Sequence, residues 1–509
     1  MSENLFALFS SRFSTARSRL FLERPDGSTL SYADLLDLSG RLANVLVELG
    51  VKPGDRVAAQ TPKSAEALML YLASLRAGAV YLPLNPAYTA GEVRYFLGDA
   101  EPALFVCPPE LATPMEALAA EVGLPRVETL GEGCDGSLMV KAQVAAPGFA
   151  DVPRSAEDLA ALLYTSGTTG RSKGTMLSHG NLASNAAALC DTWRFTAEDR
   201  LLHALPIFHT HGLFVATNIT LMAGSSLIFL PRFDAGEIVR LLPKASVMMG
   251  VPTFYTRLLS RPEFTRELVA HVRLFVSGSA PLSAETHKEF QARTGHAILE
   301  RYGMTETNMN VSNPYDGERV PGSVGLPLPG VEIRIAEAQS GTALRQGEVG
   351  MIEIRGPNVF KGYWREREKT KAEFRDDGFF ISGDLGFVDP KGYLHISGRE
   401  KDLIISGGLN IYPAEVEGAI EALPGVAECA VIGVPHPDLG EAAAAIVIAK
   451  PGGELDEGAM LQALTNELAR YKLPRRIFVV DTLPRNAMGK VQKKELREQY
   501  KSTFAAGAG

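Results

Sequence analysis

The sequence predicts an α/β protein with a large N-terminal domain of sheets packed with helices and a small α+β C-terminal domain. Three observations lead to this prediction. The chain has 509 residues, which is too many for a single hydrophobic core. Helix-like and strand-like segments alternate over residues 30–150, which indicates a parallel sheet covered by helices. Beyond Lys401 the pattern changes to a compact unit of about 110 residues, so we place the domains at residues 1–400 and 401–509.

The first 150 residues supply helices and strands in turn. We expect an N-terminal helix over residues 10–19; its arginines and serines are also typical of transit peptides, but Glu3 and Glu23 argue against that alternative. Amphipathic spacing predicts a helix over residues 32–49, closed by Gly50. The other expected elements are a strand at 56–59, a helix at 65–77, a strand at 79–82 and an irregular connection over 131–157.

The composition, with 46% hydrophobic and 22% charged residues, is that of an ordinary globular protein. A net charge of −8 argues against nonspecific nucleic-acid binding. The longest apolar stretch, residues 213–230, is interrupted by polar residues, so no membrane span is expected. Scattered cysteines predict neither a zinc site nor a disulfide framework and favour a reducing compartment such as the cytoplasm. They are Cys107, Cys134, Cys190 and Cys429.

A loop rich in glycine and hydroxyl residues follows an apolar run that predicts a buried strand at residues 159–163. After the loop, Ser178 is an N-cap candidate for a helix over residues 177–189. The loop, residues 164–174, reads Tyr-Thr-Ser-Gly-Thr-Thr-Gly-Arg-Ser-Lys-Gly. Glycines let backbone N–H groups converge and hydroxyls add donors, which is how a loop holds a polyphosphate. The loop ends in Arg-Ser-Lys-Gly, whereas the common P-loop ends in Gly-Lys-Ser/Thr. The alternative to a phosphate-binding loop is a flexible linker.

This loop resembles the phosphate-binding motif of the adenylate-forming enzymes, which include acyl-CoA synthetases, luciferases and the adenylation domains of peptide synthetases. Four further segments follow in the family's order, so the resemblance runs from about residue 29 to residue 500. It implies the fold of that family, ATP and CoA as substrates, and Mg²⁺ as cofactor. The positions that match ATP-binding residues are Thr165, Ser166, Gly167, Thr168, Thr169, Lys173, Ser279, Ala280, Pro281, Glu300, Tyr302, Gly303, Thr305, Asp384 and Arg399.

The resemblance implies separate tasks for these positions. Residues 277–282 would form one wall of the adenine site, and Tyr302 would stack on the base. Glu306 would bind the magnesium ion that bridges the ATP phosphates, because a hard cation prefers oxygen ligands. Asp384, in the phrase Ser-Gly-Asp-Leu-Gly, would accept hydrogen bonds from the ribose hydroxyls, and Arg399 would contact the ribose or a phosphate.

The resemblance implies that the C-terminal domain is mobile and carries the catalytic lysine. Lys490, in a Gly-flanked loop, matches the family's catalytic lysine, and with Glu306 and Thr165 it completes the predicted catalytic set. Gly407 and Gly408 match positions that border the CoA passage, and Lys401 is the predicted hinge. The elements expected in this domain are a helix at 414–423 opened by Pro413, strands at 427–434 and 444–449, a helix at 460–471, a strand at 477–480 and a basic helix at 491–500.

The resemblance also implies two half-reactions. A carboxylate attacks the α-phosphorus of ATP, giving an acyl-adenylate and pyrophosphate; the CoA thiol then attacks the acyl carbonyl and AMP leaves. Lys490 would bridge the carboxylate and the α-phosphate, and a rotation about Lys401 would then remove it. Acylation of Lys490 would remove its charge and the first half-reaction with it, although no residue pattern indicates such control.

At Arg301 the sequence departs from the family pattern in a way that bears on the acid substrate. Most relatives that take fatty or aromatic acids have a small or neutral residue there. A guanidinium beside an acyl pocket is costly unless an anion pairs with it, and a second carboxylate would do so bidentately. The phrases Leu-Glu-Arg-Tyr-Gly-Met-Thr-Glu-Thr and Pro-Ile-Phe-His-Thr-His-Gly-Leu-Phe resemble those of malonyl-CoA synthetases. We therefore predict malonate, with methylmalonate tolerated if the pocket admits a methyl group. The expected substrate-binding residues are Arg301, His209, Ser277, Gly278 and Met304.

The sequence leaves alternative roles open for Arg301 and for two nearby histidines. Arg301 could pair internally with Glu300 or another acid and never meet substrate, and the acid would then be a short- or medium-chain monocarboxylate. His209 and His211 lie two positions apart, but no third ligand is near, so a metal site there is not expected.

Two other classes of protein are alternatives to an acyl-CoA synthetase. One is an adenylation module that loads a carrier protein, although no carrier serine motif follows Tyr500. The other is a non-catalytic ligand sensor, against which the retention of Lys490, Glu306 and Asp384 argues.

Overall fold

The computed structural model describes residues 3–133, 135–165, 172–465, 467–486 and 489–504. Four predicted phosphate contacts, Ser166, Gly167, Thr168 and Thr169, lie outside the described residues. In these ranges the strands are β1 Leu20–Glu23, β2 Thr29–Ser31, β3 Arg56–Ala59, β4 Val80–Pro83, β5 Leu104–Cys107, β6 Val127–Thr129, β7 Leu159–Thr165, β8 Lys173–Ser178, β9 Arg200–His203, β10 Ser226–Phe229, β11 Val247–Gly250, β12 Leu274–Ser277, β13 Leu299–Met304, β14 Asn308–Ser312, β15 Leu326–Pro327, β16 Glu332–Ala336, β17 Gly350–Arg355, β18 Phe380–Val388, β19 Leu394–Arg399, β20 Ile404–Ser406, β21 Leu409–Ile411, β22 Val426–His436, β23 Gly440–Ala449 and β24 Arg476–Val479.

The helices connect these strands and cover the sheets. They are α1 Leu5–Phe13, α2 Tyr32–Glu48, α3 Ala65–Arg76, α4 Ala90–Ala100, α5 Ala112–Glu121, α6 Ser137–Val144, α7 His179–Thr192, α8 Asn218–Ala223, α9 Ala235–Leu241, α10 Pro252–Leu259, α11 Arg266–Val269, α12 Ala284–Thr294, α13 Arg367–Ala372, α14 Pro413–Glu421, α15 Glu457–Leu464 and α16 Lys493–Tyr500. A π-helix spans His211–Thr217, and 3-10 turns span Pro109–Leu111, Leu242–Lys244, Glu400–Asp402 and Arg470–Lys472. Within the described ranges, no helix is both long and apolar enough to cross a membrane.

Two large sheets form the centre of the N-terminal part. One has the order β15-β14-β13-β12-β11-β9-β10-β1-β2 and the other the order β6-β5-β3-β4-β7-β8. Strands β3, β4, β5 and β6 pair in parallel, as do β9, β11 and β12. Every residue of β11 and β12 is buried, as expected for parallel strands covered on both faces. The prediction of a parallel sheet covered by helices is confirmed.

Two smaller sheets complete the fold. Strands β16, β17, β18 and β19 form an antiparallel sheet that carries the predicted ribose motif. The C-terminal sheet has the order β21-β20-β23-β22, with β24 beside β23, and it encloses a separate apolar core that includes Val416, Ile420, Val431 and Leu464. The predicted α/β class, with a large N-terminal part and a smaller C-terminal α+β part, is confirmed. The boundary at residue 401, which lies in a 3-10 turn, stays a prediction.

Two element predictions near polar capping residues are wrong in their bounds. The N-terminal helix lies at α1 rather than at residues 10–19, because Asn4 caps it and its apolar residues, not the later arginines, enter the core. Ser178 caps α7 as predicted, with a reciprocal contact to Asn181. Leu177, however, belongs to β8, which pairs antiparallel with β7 across the predicted phosphate loop.

Two further bounds are wrong where tertiary packing decides the local structure. The segment 131–157 is not all irregular, since it contains α6, which begins after Gly136 and buries Leu138 and Met139. The helix predicted at 460–471 ends at Leu464. The helical spacing of apolar residues extends past Leu464 because Leu468 packs on the same core, although it lies in a turn.

Candidate functional site

Three of the described candidate residues end strands, and a fourth lies inside one. Strand β12 ends at Ser277, β7 ends at Thr165 and β19 ends at Arg399, while Asp384 lies within β18. The carboxyl ends of parallel strands leave a crevice that binds ligands in open α/β sheets. The fold therefore gathers residues that are far apart in the sequence.

Three of the predicted nucleotide residues form one hydrogen-bonded unit. Tyr302 Oη donates to Asp384 Oδ2 at 2.5 Å, and Arg399 Nε lies 3.0 Å from Asp384 Oδ1. Strands β18 and β19 pair Asp384 directly with Arg399, and the backbone N–H of Asp384 donates to Ser382 Oγ. Burial, with the adjacent Asp384 carboxylate, raises the pKa of Tyr302. A fixed carboxylate of this kind can accept hydrogen bonds from a pair of hydroxyls.

A second unit surrounds the candidate metal ligand. Glu306 Oε1 lies 3.4 Å from Thr165 Oγ1 and 3.1 Å from Tyr363 Oη. Lys173, which pairs with Thr165 across β7 and β8, donates to Glu373 Oε1 at 3.0 Å. Burial raises the pKa of Glu306. Sequence analysis missed Tyr363 and Glu373, because neither lies in a recognisable motif.

Glu306 fits a magnesium ion that is shared with a substrate. Among the described residues, no group of three or more His, Cys, Asp or Glu side chains could hold a metal ion by itself. Mg²⁺ does not need such a cage, since it is commonly held by one or two carboxylates together with phosphate oxygens and water. The buried Glu306 carboxylate beside the Thr165 hydroxyl meets that requirement.

The side chain of Arg301 packs against Gly278, the residue that follows β12. Arg301 is 3% exposed, and a Cβ atom at Gly278 would lie 2.4 Å from the guanidinium carbon. Residues 277–282 were expected to form one wall of the adenine site, where small residues leave room for a flat ligand. At Gly278 that room is filled by the Arg301 side chain, so the glycine is required for this placement.

Arg301 does not pair with Glu300. Among the described residues, its Nε and Nη2 atoms are buried without a hydrogen-bond partner, and so is Oε2 of Glu300. The two residues are adjacent on β13 and therefore face opposite sides of the sheet; Glu300 Oε1 instead accepts from the backbone N–H of Leu282 at 3.3 Å. Burial lowers the pKa of Arg301 to about 9 and raises that of Glu300 to about 8. Among the described residues, Glu300 is therefore not the partner of Arg301.

Two histidines lie beside Arg301. His211 is fully buried; its Nδ1 lies 3.2 Å from Ser279 Oγ, while its Nε2 has no partner in the part of the chain that the structure describes. Burial and the Arg301 charge lower the pKa of His211, and burial with Lys490 and Arg301 lowers that of His209 to about 3. Both rings are therefore neutral at physiological pH. Ser279 has φ +74°, a strained conformation that is common at functional sites.

The remaining predicted contacts lie around β13. A Cβ atom at Gly303 would lie 1.8 Å from the carbonyl oxygen of Asn308, so the hairpin of β13 and β14 requires a glycine. Met304 and Thr305 are half-buried at this turn. Ser277 is fully buried with an unpartnered Oγ, whereas Ala280 and Pro281 are more exposed.

The loop of Lys490 reaches this site from the C-terminal part. Lys490 and Asn486 exchange two hydrogen bonds, both 3.0 Å long, and a Cβ atom at Gly489 would lie 3.2 Å from Thr253 Oγ1 of α10. Although the residue keeps solvent access, the surrounding protein desolvates its ammonium group and, with Arg399 and other cations, lowers the pKa of Lys490 to about 8. The acidic groups of the nucleotide site partly offset this effect.

The other C-terminal candidates lie at an exposed hairpin. Gly407 and Gly408, with φ of +57° and +82°, form the two-residue turn between β20 and β21, a turn type that demands positive φ. The flanking Ile405 and Leu409 are 52% and 49% exposed. The structure thus directs Lys490, and not this hairpin, to the site. The passage and hinge roles of Gly407, Gly408 and Lys401 stay predictions.

A cavity of about 520 Å³ lies beside the site. Its walls include Phe208, next to His209, as well as Thr253 and the loop residues Asn486 and Gly489. Tyr302, Asp384 and Glu306 do not line it, so it is a neighbouring space and not the nucleotide site itself. The cavity could not be read from the sequence, because its basic residues come from separate elements. They are Lys63, whose pKa is lowered by burial, Arg232, Arg257 and Arg485, and no carboxylate from the described part of the chain lines it.

Comparisons with known proteins agree with this geometry. Residues 11–364 match a family model described as AMP-binding enzyme, and residues 415–490 match the AMP-binding enzyme C-terminal domain. The feruloyl-CoA synthase of an Amycolatopsis species is 38% identical over 94% of this chain and 95% of the relative. The malonate–CoA ligase of Arabidopsis thaliana is 34% identical over 98% of this chain and 90% of the relative. The crystal structure of ATP-bound MatB from Rhodopseudomonas palustris is 59% identical, with a TM-score of 0.97, and covers 99% of this chain and 100% of that chain.

The chain belongs to the AMP-binding enzyme family and is an adenylate-forming CoA ligase, as its motifs predicted. Apo MatB, also 59% identical, gives a TM-score of 0.87, so this structure is more similar to ATP-bound MatB. The relatives' names specify different acids. Family membership therefore leaves the acid to be argued from the site.

Proposed function

We propose that this protein joins malonate to CoA through a malonyl-adenylate, converting ATP to AMP and pyrophosphate. The observation that carries the proposal is the buried guanidinium of Arg301, whose Nε and Nη2 donors have no partner among the described residues. The likeness to MatB and to the malonate–CoA ligase of Arabidopsis thaliana supports it. Methylmalonate is a second substrate if the pocket admits a methyl group. The alternative is a short- or medium-chain monocarboxylate.

The two unpartnered nitrogens of Arg301 select for a second carboxylate. Nε–H and Nη2–H lie on the same side of the guanidinium and form a fork that matches a carboxylate. Leaving a buried donor unpaired costs about 1–3 kcal/mol, and more for a charged group. A monocarboxylate cannot remove this cost, because its single carboxylate is the reacting group. The unpartnered Nε2 of His211 is a candidate third donor to the distal carboxylate.

The site residues account for the first half-reaction. Negative charge gathers around the α-phosphorus as the carboxylate attacks, so the main task is to position cations there. Lys490 would bridge the attacking carboxylate and the α-phosphate, while Lys173 and Thr165 hold the outer phosphates. Tyr302, Asp384 and Arg399 would hold the nucleoside. Mg²⁺ held by Glu306 would neutralise part of the phosphate charge.

The second half-reaction needs Lys490 out of the way of the thiol. We assign the neighbouring cavity to CoA, since a space with cations and no carboxylate among the residues described suits a phosphorylated substrate. The exposed apolar residues Ile405 and Leu409 favour a second docking position for the hairpin of Gly407 and Gly408. A rotation near Lys401 would exchange the Lys490 loop for this hairpin.

The pKa of Lys490 predicts the pH dependence of the first half-reaction. The ammonium form is the active one, and it is lost as the pH rises through about 8. The kcat/KM for ATP in ATP–pyrophosphate exchange should therefore fall above that pH. Thiolysis of supplied malonyl-adenylate does not need Lys490 and serves as the control. An equal alkaline fall in both half-reactions would contradict the role of Lys490.

The cavity cations predict separable effects on CoA. Arg257→Ala should raise the KM for CoA about tenfold, the size of one charged hydrogen bond. It should leave ATP–pyrophosphate exchange unchanged. The matched control is Arg261→Ala, since Arg261 pairs with Glu263 outside the cavity. An unchanged KM for CoA in Arg257→Ala would remove the cavity assignment.

Product analysis tests the proposed function. Purified protein with malonate, ATP, Mg²⁺ and CoA should yield malonyl-CoA and AMP in equal amounts by mass spectrometry. Malonyl-adenylate that accumulates in the presence of CoA would indicate another acceptor, such as a carrier protein. Acyl-CoA formed from acetate but not from malonate would favour the monocarboxylate alternative.

A further inference from the structure

One phenol joins the two carboxylates next to the phosphate-binding candidates. Tyr363 Oη lies 2.7 Å from Glu373 Oε2 and 3.1 Å from Glu306 Oε1. Lys173 Nζ donates to the other oxygen of Glu373 at 3.0 Å and lies 4.5 Å from the centre of the Tyr363 ring. Lys173 and Tyr363 are 8% and 4% exposed. The ammonium group is therefore held by a carboxylate and an aromatic face at the same time.

These contacts reach both ends of the predicted phosphate loop. Thr165 and Lys173 face each other across β7 and β8, the strands that lead into and out of that loop. Tyr363 forms an isolated bridge with Thr175 of β8, which fixes its backbone to the same strand. Glu373 directly follows α13 and donates its backbone N–H to the carbonyls of that helix. Tyr363 and Glu373 are thus rigidly supported.

We propose that Tyr363 and Glu373 are positioning residues that hold Lys173 and Glu306 in place for the polyphosphate of ATP. A lysine side chain is a flexible stem with a point charge, so its placement must come from neighbours. Transfer at phosphorus depends mainly on such placement. The inference rests on the proposed phosphate site but not on the identity of the acid. Because pyrophosphate leaves first, only the first half-reaction should depend on these residues.

A double-mutant cycle tests whether Glu373 acts through Lys173. Glu373→Gln should lower the kcat/KM for ATP in ATP–pyrophosphate exchange about 10- to 100-fold. Lys173→Met should lower it at least as far. The double variant should fall within about twofold of Lys173→Met alone, because the two changes remove one shared interaction. Tyr363→Phe, which removes only the hydroxyl, should change the rate in the same direction. The assay uses whichever acid the wild-type protein activates best.

Thiolysis of supplied acyl-adenylate, measured in EDTA, is the second readout. It should be unchanged in Glu373→Gln, which also shows that the variant is folded. Glu368→Gln is the matched control, because Glu368 is an exposed glutamate of α13 and should leave both rates unchanged.

Two results would overturn the inference alone: wild-type exchange in Glu373→Gln, or additive losses in the double variant. Wild-type exchange in Lys173→Met would overturn the phosphate-site assignment itself, and the inference with it.

Discussion

Replacing Lys490 with alanine should abolish adenylation and spare thiolysis. The ammonium group is the cation directed by the C-terminal part into a site that also contains Arg301, Arg399, Asp384 and Glu306. Loss of one preorganised charge stabiliser in a transition state typically costs about 10²- to 10³-fold in rate. ATP–pyrophosphate exchange should fall by at least that factor, while CoA-dependent consumption of supplied malonyl-adenylate continues.

The control for Lys490→Ala is Lys494→Ala. Lys494 is an exposed residue of α16, and its loss should leave both half-reactions unchanged. Equal loss of both half-reactions in Lys490→Ala would contradict the assignment of Lys490 to the first step only. Loss of thiolysis alone would contradict the proposed exchange of the Lys490 loop for the Gly407–Gly408 hairpin.

Replacing Arg301 with alanine should remove the preference for malonate. Truncating one partner of a buried charge pair costs about 2–5 kcal/mol, or about 30-fold to several thousand-fold in kcat/KM for malonate. Activity with acetate should not fall by a comparable factor, because acetate has no distal carboxylate. Arg301→Lys should recover only part of the malonate activity, since it keeps the charge but loses the fork.

Two further variants make the Arg301 result specific. Gly278→Ala leaves Arg301 in the chain but introduces a Cβ atom 2.4 Å from its guanidinium carbon, so it should weaken malonate use in the same direction. Arg94→Ala, which breaks an exposed ion pair with Glu121, should have no effect. An unchanged ratio of malonate to acetate activity in Arg301→Ala would make Arg301 a structural residue.

Local motifs singled out Tyr302, Asp384 and Arg399, which the structure brings into contact. The pairing of β18 with β19 places Asp384 beside Arg399, and Tyr302 of β13 donates a side-chain hydrogen bond to Asp384. A local residue pattern also identified Ser178 as the N-cap of α7. These features depend on neighbouring residues in the sequence, and residue patterns report such features directly.

Other features depend on packing between distant segments and could not be read from the sequence. Tyr363 and Glu373 meet Glu306 and Lys173 only through the pairing of β8 with the segment before α13. The sequence also could not decide whether Arg301 pairs with Glu300. That choice is made by the alternation of side chains along β13 and by the space above Gly278.

The central claim is that a buried, unpaired arginine makes this ligase specific for a dicarboxylate. The most direct test is CoA-dependent AMP formation by the purified protein, with ATP and Mg²⁺, across malonate, methylmalonate, succinate, acetate and octanoate. A kcat/KM for malonate well above those for succinate, acetate and octanoate is the predicted result, with methylmalonate at or below malonate. A preference for acetate or octanoate would leave the family and the two half-reactions in place but would contradict the role given to Arg301.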